Sequence, residues 1–110
     1  MKVREGKIDP FALVEIVGRV NSENSETLKN YLQELGKREQ RVLIDCSALE
    51  YISSSGLGAL LVLLKLIQEI GGTLRLFSLS PRIAEVFSIA GFDKFFSIFP
   101  SLEAARSIKS

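Results

Sequence analysis

The sequence predicts an α/β fold with a mixed, mostly parallel sheet that starts with a short antiparallel hairpin. Segments rich in strand-forming residues alternate with segments whose apolar residues recur at helical spacing, which is typical of parallel sheets with crossover helices. Glycine, proline and serine separate these segments. The chain has 110 residues, of which 46% are hydrophobic and 25% charged, so we expect one globular domain over residues 1–110.

The N-terminal residues are expected to form the hairpin. Residues 3–8 alternate weakly between apolar and polar, and Asp9-Pro10 is typical of a turn. Residues 11–17 are rich in strand formers, with Gly18 near their end.

A helix and a central strand are expected next. The polar residues 22–25 can cap the helix, and Gly36 fits the position just past its end. The apolar residues at helical spacing are Leu28, Tyr31, Leu32 and Leu35. The short apolar run Arg41–Asp45 then predicts a buried strand with Asp45 at its carboxyl end.

The second half of the chain repeats this alternation. Residues 46–52 are expected to be a connection, residues 55–70 a long apolar helix that two glycines end, and residues 73–79 a strand.

The remaining residues predict two helices around a short strand. Ser80-Pro81 is a sharp helix start, Gly91 ends that helix, residues 95–99 are expected to be a strand, and a last helix should run to about Lys109. The predicted element order is therefore ββαβαβαβα.

Charge and cysteine content narrow the function classes. Lysine and arginine number 14 and aspartate and glutamate 13, a net charge of +1 that gives no electrostatic case for nucleic acid or an anionic membrane. The basic cluster Lys37, Arg38 and Arg41 is expected to be solvated near a helix-to-strand turn. Cys46 is the one cysteine in the sequence, so an internal disulfide is excluded and a reducing compartment is favoured.

The sequence also predicts a cytoplasmic protein. The N-terminal residues lack the apolar core of a signal peptide. The longest apolar stretch, residues 57–67, is interrupted by Lys65 and is shorter than the about 20 residues that a membrane span needs.

The absence of histidine from the sequence argues against an enzyme. Histidine is the general base of most hydrolytic triads and the commonest metal ligand. With no histidine and one cysteine, we expect no metal site and no cofactor.

The unusual local feature is the loop Ser53-Ser54-Ser55-Gly56-Leu57-Gly58. One serine is explained by capping of the following helix, since its oxygen accepts a hydrogen bond from a free backbone N–H. Three serines followed by small residues exceed what a cap requires, and they leave room for another backbone or an anion to approach.

Enzyme motifs do not fit this loop. A nucleophile elbow needs a glycine two places before the serine and a histidine elsewhere, but Ile52 lies two places before Ser54. The Gly-Lys-Ser/Thr of a phosphate-binding loop is absent, and Leu61 occupies the third glycine position of a dinucleotide-binding motif. A serine without a base is a poor nucleophile, yet it can accept phosphate when another protein supplies the catalytic groups.

In residues 42–61, VLIDCSALEYISSSGLGALL, the sequence resembles the STAS domain, specifically the stand-alone bacterial anti-sigma-factor antagonists. Gly18, the Gly71-Gly72 pair, Ser80-Pro81 and Gly91-Phe92 match as well. The resemblance covers essentially the whole chain.

The resemblance implies a switch based on phosphorylation. In this family an anti-sigma factor with serine kinase activity phosphorylates the serine two places before the glycine, which is Ser54 here. The unphosphorylated antagonist binds that anti-sigma factor and frees the sigma factor, and a metal-dependent serine phosphatase resets the modified form. Many members have aspartate just before the acceptor, where this chain has Ser53, and this departure leaves Ser53, Ser54 and Ser55 as alternatives.

We therefore expect a non-enzymatic binding protein with Ser54 as the phosphate acceptor. The expected partner contacts are Asp45, Ser53, Ser55, Gly56 and Gly58. Asp45 can equally be only a strand end, and the glycines can be only packing residues. Two alternative functions remain: an accessory STAS subunit of a transport or stress-signalling assembly, and a small-ligand or nucleotide sensor that uses the Gly56–Gly58 turn.

Overall fold

The computed structural model describes residues 1–107 and confirms the α/β fold with a mixed sheet. In chain order the elements are β1 (Lys2–Ile8), β2 (Phe11–Val20), α1 (Ser25–Arg38), β3 (Arg41–Asp45), β4 (Leu49–Ile52), α2 (Ser54–Glu69), β5 (Thr73–Phe77), α3 (Pro81–Ile89), a 3₁₀ turn (Phe92–Lys94), β6 (Ser97–Phe99) and α4 (Leu102–Ala105). The predicted end of the last helix, Lys109, lies outside the described residues.

The sheet has the expected entry hairpin and parallel centre. β1 runs antiparallel to β2, with Ile8 opposite Phe11 at the turn. β2, β3, β5 and β6 then pair in parallel, so the strand order is β1-β2-β3-β5-β6. Because β3 lies between two parallel neighbours, its residues 42–44 are fully buried, as the apolar run predicts.

Gly18 causes the largest departure from the predicted elements. Its φ of 92° lies in the left-handed region, and the pairing register of β2 shifts between Gly18 and Arg19. β2 pairs with β3 over residues 12–15 and with β4 from Gly18 onward, so the bulge lies within its pairing with β4. β4 lies within residues 46–52, which were expected to be only a connection. The predictions that β2 ends near Gly18 and that residues 46–52 contain no strand are therefore wrong, because a β-bulge redirects a strand without ending it.

The two faces of the sheet bury different cores, because successive strand residues point to opposite faces. Val42 and Ile44 face the main core, which the apolar sides of α1, α2 and α3 complete. Leu43 faces a smaller core that includes Phe11, Phe77 and Ala105 of α4. The helices that carry the main core thus lie on one face, and α4 covers part of the other.

Gly36 lies inside α1 and not past its end, since the helix continues to Arg38. It is buried, and a Cβ added there would lie 3.0 Å from Cδ1 of Leu66 and 3.2 Å from Cδ1 of Leu63. The glycine therefore allows α1 and α2 to approach closely. The prediction that Gly36 terminates the helix was wrong. Glycine occurs both at helix ends and where two helices pack closely, and Gly36 serves the second purpose.

Two glycines near the start of α2 have opposite surroundings. A Cβ added at Gly56 would lie 2.7 Å from Cγ1 of Val20 and 2.8 Å from Cγ1 of Ile52, both of which are buried. A Cβ at Gly58 would meet no atom within 4 Å. Gly56 therefore lets α2 lie directly against the ends of β2 and β4, whereas Gly58 leaves an open surface.

This difference predicts opposite effects of alanine on stability. Gly56→Ala overpacks the contact with Val20, which costs about 1–3 kcal/mol, and the better helix propensity of alanine offsets about 1 kcal/mol of this. The net cost of about 0–2 kcal/mol should lower its Tm by up to about 12 °C. Gly58→Ala gains the propensity without a clash, so its Tm should rise by about 4–8 °C. Calorimetric melts of both variants test this, and equal melting temperatures would contradict the packing argument.

The hairpin is fastened to α1 by a polar cluster of Glu5, Tyr31 and Arg38. Both Glu5 oxygens accept hydrogen bonds from the Arg38 guanidinium, at 2.7 and 2.9 Å, and the Tyr31 hydroxyl donates to the same carboxylate. The Arg38 hydrogen bonds, and then that of Tyr31, lower the pKa of Glu5 from 4.5 to about 2. A carboxyl group whose pKa is depressed in the folded state stabilises the fold above its unfolded pKa and loses this contribution as pH falls.

Glu5→Gln should therefore be less stable than the parent protein at pH 6, with a difference on the order of 1 kcal/mol because the Glu5 side chain is partly exposed. The difference should shrink as pH falls through the window from 4.5 toward about 2. Urea denaturation at pH 6 and pH 2.5 measures both values. Glu26→Gln, which removes an exposed pairing with Lys29 on the same helix, is the control, and a pH-independent deficit in Glu5→Gln would contradict the assignment.

Candidate functional site

The serine loop begins at Ser53, which caps α2 and ties it to the sheet. The Ser53 backbone N–H donates to the carbonyl of Val20 at 2.8 Å. Its hydroxyl oxygen accepts the backbone N–H of Gly56 at 3.1 Å. Since one residue bonds both to the end of β2 and to the first turn of α2, the start of the helix is held at the carboxyl end of that strand.

Ser54 is the first residue of α2, one position earlier than the sequence predicts. It is exposed, and within the described part of the chain its hydroxyl makes no hydrogen bond. The flanking hydroxyls differ, because the Oγ atoms of Ser53 and Ser55 lie 2.9 Å apart and hydrogen-bond to each other. Of the three serines, Ser54 thus presents the hydroxyl that is free to react.

The backbone around Ser54 suits an anion. The first N–H groups of an α-helix have no acceptor within the helix, and those of Ser54 and Ser55 have none among the described residues. The aligned peptide dipoles place partial positive charge at the same point, which favours a nearby anion by about 0.3–1 kcal/mol. A phosphate attached here would find donors without displacing a bond that the fold uses.

The other predicted contact residues lie around this loop to different degrees. Ser55 is exposed and Gly58 half-buried, whereas Gly56 is buried under Val20. Asp45 is half-buried at the carboxyl end of β3, as predicted, and accepts the backbone N–H of Ser47 at 2.9 Å. It makes no hydrogen bond to the serine loop within residues 1–107, so the structure brings it to the same edge of the sheet but not into the loop.

Arg19 and Tyr51 are surface residues beside the loop that the sequence analysis missed. They pair in register on β2 and β4, and the Arg19 guanidinium lies 4.5 Å from the centre of the Tyr51 ring. Tyr51 is 38% exposed, two residues before Ser53. No direct signal for this pair was present in the sequence, because residues 46–52 were expected to be a connection and the pairing of β4 with β2 is a tertiary contact.

Residues 1–107 provide neither a base beside the Ser54 hydroxyl nor a metal-binding cluster. No side chain among them accepts a hydrogen bond from the Ser54 hydroxyl, and no group of three residues of metal-binding type is found among residues 1–107. Burial, and then the nearby Asp45 charge, raise the pKa of the Cys46 thiol to about 12, so this thiol stays protonated at neutral pH. None of the described helices is long and apolar enough to cross a bilayer.

The sequence matches the family model of the STAS domain over residues 3–105. A curated relative is BtrV of Bordetella bronchiseptica, named as a candidate anti-sigma factor antagonist, which is 41% identical over 108 residues and is matched over 97% of this chain and 93% of its own length. A crystal structure of a Thermotoga maritima protein given the same description superposes with a TM-score of 0.85 at 23% identity, covering 96% of this chain and 95% of that one.

The fold is also that of SpoIIAA from Bacillus, an anti-sigma factor antagonist with unphosphorylated and phosphorylated structures. They superpose with TM-scores of 0.72 and 0.71, at 14% and 16% identity, and each covers 94% of this chain, with 92% and 96% of their own chains matched. At these identities the likeness shows the fold alone. The family match and the BtrV relationship carry the assignment: this chain belongs to the STAS domain family and, within it, to the anti-sigma factor antagonists.

Proposed function

We propose that this chain is an anti-sigma factor antagonist switched by phosphorylation of Ser54. The unmodified protein binds an anti-sigma factor that has serine kinase activity and thereby frees the sigma factor. Phosphate on Ser54 prevents this binding, and a metal-dependent serine phosphatase restores it. The exchange takes place in the cytoplasm, through one STAS domain that spans residues 1–110.

The observation that carries this proposal is the state of the three hydroxyl groups. Ser54 is exposed and its hydroxyl has no hydrogen bond among the described residues, whereas Ser53 and Ser55 bond to each other. A kinase that approaches from solvent reaches Ser54 without breaking a cap, but modification of Ser53 would remove the bond to Gly56. A phosphorylated form is known for SpoIIAA, which shares this fold.

The partner surface consists of the loop and its rim. Ser53, Ser55 and Gly58 are at least partly exposed around Ser54, and Asp45 lies at the same edge of the sheet. Gly56 contributes indirectly, because its lack of a side chain allows the loop to lie close to Val20. The open space at Gly58 allows the backbone of a partner to approach closely.

The proposal predicts a single acceptor. Incubation with ATP and the cognate kinase should add one phosphate, which fragmentation mass spectrometry should place on Ser54. Ser54→Ala should abolish incorporation, whereas Ser88→Ala, which changes an exposed serine on α3, should leave it unchanged. Phosphate found on Ser53 or Ser55 and not on Ser54 would refute the acceptor assignment.

The proposal also predicts that the switch acts locally. Because phosphate at the first position of α2 meets free N–H groups and the positive end of the helix dipole, the fold should be preserved. We expect Ser54→Asp to melt within a few degrees of the parent protein but to bind the kinase weakly, and Ser54→Ala to retain binding.

Amide NMR spectra with and without phosphate on Ser54 test this locality. Shifts should be confined to the serine loop and the first turns of α2. Shifts that spread through β3, β5 and α3 would show a conformational switch in place of direct blocking. Affinity capture completes the test, since recovery of a transport or stress-signalling assembly without a kinase would favour the accessory-subunit alternative.

A further inference from the structure

A cleft of about 570 Å³ opens between the second half of β2, the start of β4 and the start of α3. Its volume is within the range of binding sites in proteins. It lies at the carboxyl ends of the parallel strands, where α/β folds place their binding sites. Its lining includes the apolar residues Ala48 and Leu49 and the polar residues Ser47 and Ser80.

The charged groups at this cleft are Arg19, Arg82 and Glu50. All three are exposed, and neither arginine forms an ion pair with any carboxylate of residues 1–107. Arg19 is positioned by stacking on Tyr51, and Arg82 is the second residue of α3. The cleft therefore offers two guanidinium groups, which bind carboxylates in a fixed two-pronged geometry, against one carboxylate of its own.

The cleft is continuous with the proposed contact surface. β4 leads from the cleft into the loop, and Arg19 lies opposite Tyr51, three residues before Ser54. Three residues span at most about 10 Å, which is close to the screening length of about 8 Å at physiological ionic strength. A charge on Ser54 would therefore be only partly screened at Tyr51, the residue on which Arg19 stacks.

We propose that this cleft receives an acidic segment of the anti-sigma factor kinase, whose carboxylates pair with Arg19 and Arg82. The inference rests on the proposed function and specifies the chemistry of its partner. Phosphorylation of Ser54 adds about −1.5 to −2 charges beside the place where this acidic segment lies. Repulsion between the two then weakens the complex, in addition to the steric bulk of the phosphate.

The test measures the affinity of the intact protein for the kinase that phosphorylates Ser54, by calorimetry at low and physiological salt. Arg19→Glu and Arg82→Glu should each weaken binding about tenfold or more and reduce the salt dependence of Kd, because charged groups at an interface act through salt-sensitive attraction. Arg82→Glu should fold, since an acidic residue in the first turn of a helix is favourable. Arg19→Gln provides a milder variant with the same expected direction.

Arg41→Glu is the matched control. Arg41 is an exposed cation at the amino end of β3, the opposite edge of the sheet, and its replacement should leave Kd within about twofold. Absence of binding by the parent protein would refute the proposed function itself. If the parent protein binds normally and neither Arg19→Glu nor Arg82→Glu changes Kd, the assignment of the cleft is overturned while the proposed function stands.

Discussion

The contact between the start of α2 and the end of β2 is the constraint on which the site depends. Gly56 lies where any side chain would clash with Val20, and the Ser53 N–H bonds to the carbonyl of the same valine. The first contact is with the buried Val20 side chain, and the second satisfies backbone groups that must find partners. Both therefore restrict movement of the loop. Ser54 lies between these two anchored residues and is itself exposed.

This arrangement would allow a small modification at Ser54 to change binding without changing the fold. The phosphate would be attached to a residue that the core does not use, at a helix end whose N–H groups lack acceptors among the described residues. The structure therefore separates the groups that maintain the loop, Ser53 and Gly56, from the group that would carry the signal. A site in which one serine did both would lose stability each time it was modified.

Much of the architecture is predictable from the sequence because hydrophobic period and helix-cap residues are local signals. The strand Arg41–Asp45, the cap Ser80 and the helix after the serines were all located in this way. The predictions that were wrong concerned residues whose roles depend on tertiary contacts. Gly18 resembles a strand end but forms a bulge, and Gly36 resembles a helix stop but allows two helices to pack closely.

The candidate site was likewise predictable in part from local sequence and in part only from tertiary contacts. The serine loop is visible in the sequence as an unusual run, and its position after a strand predicts exposure at the sheet edge. The roles within the run are not visible, because they depend on which hydroxyl caps α2 and which hydroxyls bond to each other. Arg19 and Arg82 are 63 positions apart in the sequence and line the same cleft because β2 continues past Gly18 to pair with β4, beside α3.

The serine at position 53 gives the loop a property that aspartate would not. Many proteins that the sequence resembles have aspartate before the acceptor, and either side chain can cap a helix with a comparable free-energy gain. Serine supplies the hydrogen bond to Gly56 without charge, so the unmodified loop is neutral. Phosphorylation would then change its charge from zero to about −1.5 to −2, where an aspartate would already place one negative charge before modification. An acidic partner segment would thus meet no repulsion from the unmodified loop, and the whole electrostatic difference between the proposed bound and released states would come from the phosphate.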